Sequence, residues 1–283
     1  MRWEETPVLV TGGDGFIGCR LVSKLKEFGA SVAVASKSRG GDGVICIDVA
    51  KPETLNFEGY EVVFHLAGIA DPKICEAHPE QAFLVNSYGS LNVAEECERS
   101  GVKRMLLSSS SHVYGIPEYI PVDEKHPLAP VSVYGRSKVA AEHAWREYGG
   151  AVLRFFNVYG KGQRGDYLIP TILSQLNKGS VKLKNLDSRR DFVHVDDVVD
   201  ALLVAVDFPG ECFNIGSGRS YSVKEIAELL FKISNKKPKL ISLNKRDRVR
   251  NLVADIGKAK RIMGWEPRVD LGEGLREVYE GFG

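Results

Sequence analysis

The stretch VLVTGGDGFIG, residues Val8–Gly18, joins a short apolar run to three regularly spaced glycines. The run ends at Thr11, and this layout predicts a buried strand that turns sharply into a helix around a dinucleotide pyrophosphate. In that turn Gly12 permits the tight bend, Gly15 lets the backbone approach the phosphates, and Gly18 lets the helix pack close to the strand. The spacing is G-x-x-G-x-x-G, not the G-x-G-x-x-G of ordinary dehydrogenases. A glycine-rich turn in some other α/β protein is the alternative unless the rest of the chain agrees.

The composition is ordinary for a soluble globular protein. Of 283 residues, 43% are hydrophobic and 27% charged, and the formal net charge of +1 creates no overall field for nucleic acid or an acidic membrane. The N-terminal MRWEETP lacks the apolar core of a signal peptide, and no run is long enough to span a bilayer. The five cysteines are scattered without a C-x-x-C pair. We therefore expect a cytoplasmic protein with no metal, no nucleic-acid partner and no membrane contact.

The first half of the chain alternates β-rich apolar runs with longer helical patterns, which predicts a parallel sheet covered by helices on both faces. We expect an α/β fold: a Rossmann-type doubly wound parallel sheet with a smaller mixed α/β lobe. The dinucleotide-binding domain is expected at residues 1–156 and 192–214, and the substrate-binding lobe at 157–191 and 215–283. The predicted strands are Pro7–Thr11, Ser31–Ala35, Val44–Ile47, Glu61–Leu66, Lys103–Ser108 and Ala151–Phe155. The predicted helices are Phe16–Phe28, Pro79–Ser100 and Val133–Tyr148.

A second signal is the sequence YGRSK, in which Tyr134 and Lys138 stand four residues apart. On a helix this spacing places the phenol and the ammonium on one face. A free tyrosine has a pKa near 10, so a tyrosine base at neutral pH needs roughly 4 kcal/mol of stabilisation of its phenolate. A lysine cation and a positively charged nicotinamide both act in that direction. Taken alone, an ordinary surface pair is the better interpretation of this motif.

The serine-rich run LSSSSHVYG, residues Leu107–Gly115, lies where the fifth predicted strand ends. A hydroxyl at that edge of the sheet is placed to hydrogen-bond the same substrate oxygen as Tyr134. The structural alternative is a turn stabilised by local bonds from serine side chains to the backbone.

Together these residues resemble the extended short-chain dehydrogenase/reductase superfamily, in its nucleotide-sugar epimerase/dehydratase branch of UDP-glucose 4-epimerase-like proteins. The resemblance covers nearly the whole chain and is specific for family and fold, but less specific for the reaction. Further motifs that carry it are His65–Gly68 (HLAG), Val85–Asn92 (VNSYGSLN), Arg154–Gly160 (RFFNVYG), Arg190–Asp197 (RDFVHVDD), Phe213–Gly218 (FNIGSG) and Ala254–Ala259 (ADIGKA).

The resemblance implies a role for each matching residue. Tyr134 is the expected base, Lys138 its partner and a ligand of the nicotinamide ribose, and Ser110 the hydroxyl that orients the substrate. The expected cofactor-binding residues are Gly12, Gly15, Phe16, Ile17, Gly18, Ser36, Lys37, Asp48, Val49, Leu66, Ala67, Gly68, Asn86, Ser108, Tyr134, Lys138 and Phe156. The expected substrate-binding residues are Ser110, Ser111, His112, Asn157, Arg190 and Arg248.

The chain departs from the branch's pattern at two positions just before VYG. Dehydratases resemble Thr-Asp-Glu-Val-Tyr-Gly there, and the two acids serve the elimination of water. This chain has Ser111 and His112 instead. Serine has no useful acidity, although a histidine titrates near neutral pH. The missing carboxylates argue against 4,6-dehydration and disfavour the related decarboxylases.

A second departure lies at the end of the second predicted strand, where NAD-preferring members carry an acid. Here the chain reads Ser36-Lys37-Ser38-Arg39, with no acid and two cations. A carboxylate repels a 2′-phosphate, whereas a serine and a cation accept one. We therefore expect NADP in preference to NAD. An exposed basic loop beside bound NAD is the alternative.

The leading hypothesis is an NAD(P)-dependent 4-epimerase of a nucleotide-diphosphate hexose that acts through a 4-keto intermediate, with Tyr134 as base. The runner-up is an NADPH-dependent reductase of a 4-keto-6-deoxy nucleotide sugar that uses the same residues. A non-catalytic cofactor-sensing or RNA-binding relative is a third possibility, and the intact Ser110, Tyr134 and Lys138 argue against it. The resemblance also implies a homodimer built from helices at 79–100 and 133–148.

Overall fold

The computed structural model describes residues 2–37, 43–243 and 249–282. Its strands within these ranges are numbered here in chain order. They are β1 (Pro7–Thr11), β2 (Ser31–Ser36), β3 (Val44–Cys46), β4 (Val62–His65), β5 (Arg104–Ser110), β6 (Ala151–Phe155), β7 (Asn157–Tyr159), β8 (Ser180–Leu183), β9 (Arg189–His194), β10 (Cys212–Ile215), β11 (Ser220–Ser222), β12 (Lys239–Ser242) and β13 (Asn251–Leu252).

The main sheet has seven strands in the order β10-β6-β5-β4-β1-β2-β3, and every neighbouring pair is parallel. This order confirms the expected doubly wound sheet. It places the carboxyl end of β1 beside the ends of β2 and β4, at the edge where open α/β sheets bind their ligands. The predicted strands are confirmed with small shifts at their ends. The largest shift is in β5, which continues to Ser110, two residues beyond the predicted end.

The helices confirm the predicted alternation, with one correction. The predicted helix Pro79–Ser100 is three pieces, because a π-helical turn at Leu84–Tyr88 interrupts it. Gly29 and Gly101 end the first and fourth helices with φ of 79° and 68°, the left-handed conformation expected of glycine caps. The helices are α1 (Phe16–Glu27), α2 (Pro72–Ala77), α3 (Pro79–Phe83), α4 (Gly89–Arg99), α5 (Val133–Glu147), α6 (Leu168–Leu173), α7 (Val195–Ala205), α8 (Val223–Ile233) and α9 (Leu271–Glu280).

Two hydrophobic cores cover the faces of the main sheet. Val8 and Val10 of β1 belong to the core that includes residues of α1 and α7, whereas Leu9 belongs to the core that includes residues of α4 and α5. Successive strand residues point to opposite faces, so a strand buried on both faces needs an unbroken apolar run. This requirement explains the apolar sequence before the glycine turn.

The smaller lobe contains a second sheet and its own core. Strands β11, β9 and β13 lie side by side and β7 pairs with β9, while β8 and β12 form a separate parallel pair. Apolar residues of α6, α8 and α9 pack into one cluster there. Residues 192–194 are the end of β9 in this lobe, whereas α7 packs on α1 and β10 joins the main sheet. The domain boundaries predicted at 156, 192 and 214 stay a prediction.

Within the described residues, no helix combines the length and apolar character that crossing a bilayer requires.

Candidate active site

The glycine turn has the backbone shape that a phosphate cradle needs. Gly12 has a φ of +69°, and a Cβ built there would lie 2.7 Å from the Ala67 nitrogen. A Cβ at Gly18 would collide with the Gly12 carbonyl oxygen. α1 begins after Gly15, and no side chain caps its N-terminus. Its first backbone N–H groups therefore have no side-chain acceptor in the turn. These observations fit a pyrophosphate at the N-terminus of α1.

A buried histidine braces the loop that follows β4. The Thr11 Oγ1 and His65 Nδ1 atoms are 2.7 Å apart, and His65 Nε2 lies 3.0 Å from the Ser90 hydroxyl. Burial lowers the pKa of His65 to about 3, so the ring is neutral at physiological pH. This network ties the end of β1 to β4 and α4. It holds residues 66–68 beside the glycine turn.

The π-helical turn at Leu84–Tyr88 aims the buried Asn86 amide at the same loop. Its Oδ1 accepts the Ile69 N–H at 2.7 Å, and its Nδ2 donates to the Ile69 carbonyl and to the Ser137 hydroxyl, both at 3.0 Å. π-turns often occur where a functional site needs a local change of helix register. Asn86 thus connects the loop after β4 to α5, and its expected contact with the cofactor stays a prediction.

The Ser–Tyr–Lys group assembles where β5 ends against the start of α5. Tyr134 and Lys138 are both buried on one face of α5, as their spacing predicts. The Lys138 ammonium donates to the Ser108 carbonyl at 2.8 Å. Ser110, the last residue of β5, places its side chain close enough to the Tyr134 phenol to lower its pKa. A strand end and a helix face therefore bring a hydroxyl, a phenol and an ammonium to one place.

Burial dominates the electrostatics of this group. It raises the pKa of the Tyr134 phenol above its ordinary value of 10, and the Ser110 side chain acts in the opposite direction. Burial lowers the pKa of the Lys138 ammonium to about 8, partly opposed by the charge of Glu142. These residues by themselves leave the phenol protonated at neutral pH. A further positive charge beside it is needed to bring its pKa down.

A buried ion pair fixes the helix that carries Tyr134 and Lys138. The Arg154 guanidinium of β6 binds the Glu142 carboxylate of α5, with Nη2 and Oε2 2.6 Å apart. Both side chains have an exposed fraction of 1% or less. Arg154 also donates to the Tyr114 hydroxyl at 2.9 Å. The arginine that opens the RFFNVYG motif is therefore a structural anchor behind the site.

These groups face a cavity of about 880 Å³ between the carboxyl ends of the main-sheet strands and the smaller lobe. Its wall contains most of the residues singled out from the sequence. Those that line it are Gly12, Gly15, Phe16, Ile17, Gly18, Leu66, Gly68, Ser108, Ser110, Ser111, His112, Tyr134, Lys138, Phe156, Asn157 and Arg190.

His112 stands beside the phenol at the cavity wall. The ring centroids of His112 and Tyr134 are 5.3 Å apart in an edge-to-face arrangement. The neighbouring Ser111 side chain is buried. The two positions that carry acids in dehydratases therefore present a hydroxyl and an imidazole here, and neither offers a carboxylate.

The smaller sheet contributes polar side chains to the opposite wall. Asn157 Nδ2 donates to the Asp191 carbonyl at 3.1 Å, and Arg190 Nη1 donates to the Arg189 carbonyl at 2.7 Å. The Asp191 carboxylate is buried and accepts the Ser217 N–H at 2.6 Å. This bond joins the RDFVHVDD motif, which contains Asp191, to the FNIGSG motif, which contains Ser217, so the two motifs form one structural unit.

The remaining predicted residues do not line this cavity. Ser36 Oγ donates to the Asp14 Oδ2 at 2.6 Å, and Lys37 Nζ forms an ion pair with Asp48 Oδ2 at 3.0 Å. Both side chains are therefore already bonded to an acid of this chain, and the NADP preference expected from them stays a prediction. The residues outside the cavity wall are Ser36, Lys37, Asp48, Val49, Ala67 and Asn86. Arg248 lies outside the described residues, as do Ser38 and Arg39, which follow Lys37.

Several cavity residues escaped the sequence reasoning, among them Asp71, Arg164 and Tyr167. Arg164 forms ion pairs with Asp71 of the loop after β4 and with Asp166, at 3.4 and 3.2 Å. Tyr167 is half-buried and also lines the cavity, near enough to Tyr134 to influence its pKa. Two of these residues, Arg164 and Tyr167, lie in the short segment after β7 that lacks a family motif. Only the three-dimensional structure brings them to the site.

Elsewhere in the described residues, three side chains with metal-ligating atoms lie close together: His194, Asp196 and Glu277. The Arg20 guanidinium lies 2.8 Å from Asp196 and 3.8 Å from Glu277, so both acids already have a cation of the chain as a partner. The group carries no argument for a metal site.

A glycine turn after β1 and a Ser–Tyr–Lys group beside it define a Rossmann-type protein of the short-chain dehydrogenase/reductase class. The chain belongs to the NAD dependent epimerase/dehydratase family, whose model matches residues 8–216.

Several solved structures are similar to this chain over nearly its full length. The UDP-glucose 4-epimerase of Thermotoga maritima, solved with UDP-glucose, is 33% identical, with a TM-score of 0.92 and 98% of each chain covered. MoeE5 in complex with UDP-glucose and NAD is 30% identical, with a TM-score of 0.89 and coverage of 97% and 98%. RMD from Pseudomonas aeruginosa, complexed with NADPH, is 25% identical, with a TM-score of 0.89 and coverage of 98% and 99%. Similar structures therefore hold either NAD or NADPH.

Proposed function

We propose that this protein epimerises a nucleotide-diphosphate hexose at C4 through a 4-keto intermediate, with a bound nicotinamide dinucleotide. The observation that carries the proposal is the convergence of Ser110, Tyr134 and Lys138 on the same cavity as the glycine turn. A surface Y-x-x-x-K pair would be exposed, whereas these two side chains are 8% and 5% exposed. UDP-glucose and UDP-galactose are the first substrates to test, because the similar T. maritima structure is an epimerase with UDP-glucose.

In this proposal the Tyr134 phenolate takes the proton of the sugar 4-hydroxyl, and Ser110 orients that oxygen. When bound, the dinucleotide supplies the hydride acceptor and the positive charge that helps to ionise the phenol. Lys138 adds a second positive charge close to the site. After the 4-keto sugar has turned, Tyr134 returns the proton to the oxygen as C4 takes the hydride back on its other face. Positioned acid–base groups of this kind contribute about 10²- to 10⁴-fold in rate.

The opposite wall is suited to hold the rest of the substrate. Arg190 and Asn157 approach from the smaller sheet, and Lys184 adds another cation to the cavity wall. A guanidinium recognises the oxygens of a diphosphate through paired hydrogen bonds. Anchoring the diphosphate lets the keto sugar turn without leaving the cavity, since the anchored end lowers the entropy cost of the second half-reaction.

The second candidate is an NADPH-dependent reductase of a 4-keto-6-deoxy nucleotide sugar. The likeness to RMD with NADPH favours it, and the same Ser110, Tyr134 and Lys138 would serve. Elimination of water from the sugar is not part of either proposal, because Ser111 and His112 replace the two acids that it uses. Both candidates require NAD or NADP.

One experiment separates the two candidates. The purified protein is incubated with UDP-galactose and with a 4-keto-6-deoxy nucleotide sugar, and the products and the reduced nicotinamide are quantified together. The epimerase interconverts the two UDP-hexoses without net change in reduced cofactor. The reductase consumes one NADPH for each keto sugar reduced. A protein that binds the dinucleotide but converts neither sugar would overturn both candidates for these substrates.

We also infer a homodimer through the paired helices at 79–100 and 133–148. Leu84 and Tyr88, in the π-helical turn of this segment, have exposed fractions of 47% and 61%. Burying such apolar side chains against a second copy is favourable. Light scattering after size exclusion should give twice the chain mass of 31.2 kDa. Substitution of Tyr88 by Glu should shift the mass to that of one chain, and an unchanged dimer would place the interface elsewhere.

A further inference from the structure

A carboxylate lies at the end of β2 in the folded protein, although the sequence of β2 itself contains no acid. Asp14 lies in the glycine turn, 22 positions before Ser36, yet its Oδ2 accepts the Ser36 hydroxyl at 2.6 Å. Ser36 is the last residue of β2. Chain folding therefore brings a carboxylate to the place where Rossmann proteins that bind NAD carry an acid for the adenosine ribose.

Asp14 is not explained as a cap of α1. The helix begins at Phe16 after Gly15, and it has no side-chain N-cap hydrogen bond. The carboxylate is instead bonded across the turn to β2. A carboxylate has two oxygens and about four acceptor positions, so the bond from Ser36 leaves capacity for a further donor.

Lys37, the cation next to Ser36 in the sequence, is already paired with an acid. Lys37 follows Ser36 and forms its ion pair with Asp48, whose side chain is only 16% exposed. A paired ammonium attracts an incoming phosphate less than a free one does. Among the residues that the structure describes, Lys37 and Asp48 together carry no net charge, and Asp14 adds one negative charge beside Ser36.

We propose that Asp14 sets the cofactor preference, so that this protein binds NAD more tightly than NADP. The carboxylate accepts a hydrogen bond from the 2′-hydroxyl of the adenosine ribose, and Ser36 holds it in position. The same carboxylate repels a 2′-phosphate. The inference rests on the proposed dinucleotide site and reverses the preference expected from Ser36 and Lys37 in the sequence.

The test measures the dissociation constants of NAD⁺ and NADP⁺ by isothermal titration, without any sugar substrate. Wild-type protein should bind NAD⁺ at least about tenfold more tightly, which corresponds to about 1.4 kcal/mol. Asp14→Asn keeps an acceptor for Ser36 and removes the charge, so its NADP⁺ affinity should rise and the ratio should fall about tenfold. Glu58→Gln is the matched control. Glu58 is exposed in the turn before β4, at the amino-terminal edge of the sheet, and its loss should leave both constants unchanged.

A second variant tests whether a carboxylate at the end of β2 is what sets the preference. Asp14→Asn combined with Ser36→Asp moves the carboxylate to the end of β2 and should restore the preference for NAD⁺. Tighter binding of NADP⁺ by the wild-type protein, or an unchanged ratio in Asp14→Asn, would overturn the role of Asp14. Failure to bind either dinucleotide would instead contradict the proposed function, so the two failures are distinguishable.

Discussion

Replacing Lys138 by Met should make the protein more stable while it destroys the site. The ammonium is 5% exposed, and burial lowers its pKa from 10.5 to about 8. A difference of this size between the unfolded and folded states corresponds to about 3 kcal/mol that the charged lysine costs the fold at neutral pH. Losing the hydrogen bond from Nζ to the Ser108 carbonyl removes about 1 kcal/mol of stabilisation. We therefore expect a net gain of roughly 1–2 kcal/mol for Lys138→Met.

The pH dependence of this gain identifies its cause. Between pH 8 and 10.5 the unfolded chain keeps a proton on Lys138 that the folded protein has released. The stability of the wild-type protein relative to Lys138→Met should therefore rise with pH across this window, and the gain should shrink toward zero. Urea unfolding near neutral pH and at the alkaline end of the window measures both effects. Lys178→Met, at an exposed position, is the control and should show neither.

Two results would refute the reasoning about Lys138. One is a Lys138→Met protein that is less stable than the wild type at neutral pH. The other is a gain that stays constant up to pH 10.5, because a constant gain would come from packing and not from a buried charge.

Three other substitutions test separate parts of the site. Tyr134→Phe should reduce turnover by about 10²-fold or more and leave the dissociation constant of the dinucleotide unchanged; retained turnover would remove Tyr134 as the base. Glu142→Gln leaves the buried Arg154 guanidinium without its counter-charge, so urea unfolding should show a loss of about 3–5 kcal/mol. A loss below about 1 kcal/mol would show that the pair does not anchor α5. Arg190→Ala should raise the KM for the nucleotide sugar about tenfold or more without weakening dinucleotide binding, since a charge-assisted hydrogen bond contributes roughly 1.5–3 kcal/mol. Arg219→Ala, at an exposed position just before β11, the strand that pairs with β9, should change neither constant. Equal effects of the two arginine variants would argue against a specific diphosphate contact.

The sequence predicted those parts of the site that depend on local spacing. The glycine turn follows an apolar strand directly, and Tyr134 and Lys138 are one helical turn apart, so neither requires knowledge of distant contacts. The parallel, doubly wound sheet was predictable as well, because strands alternate with helices along the first half of the chain. Its strand order and its seventh strand, β10, come from the structure.

Other features depend on contacts between distant residues and were not predictable in this way. The π-helical turn around Asn86 has no signal in a helical pattern that runs continuously through it. The ion pair of Lys37 with Asp48 and the bond of Ser36 to Asp14 join segments that only the parallel pairing of β1, β2 and β3 brings together. The NADP preference expected from Ser36 and Lys37 was argued without these contacts, and it stays an untested prediction.

The fate of the hydrogen on C4 tests the proposed epimerisation most directly. UDP-galactose that carries deuterium at C4 is incubated in ordinary water with the protein and its dinucleotide, and the UDP-glucose formed is analysed by mass spectrometry and NMR. The account predicts that the deuterium remains at C4 of the product and that no net reduced nicotinamide accumulates. Loss of the label to water would contradict transfer through a 4-keto sugar held in the Tyr134 cavity.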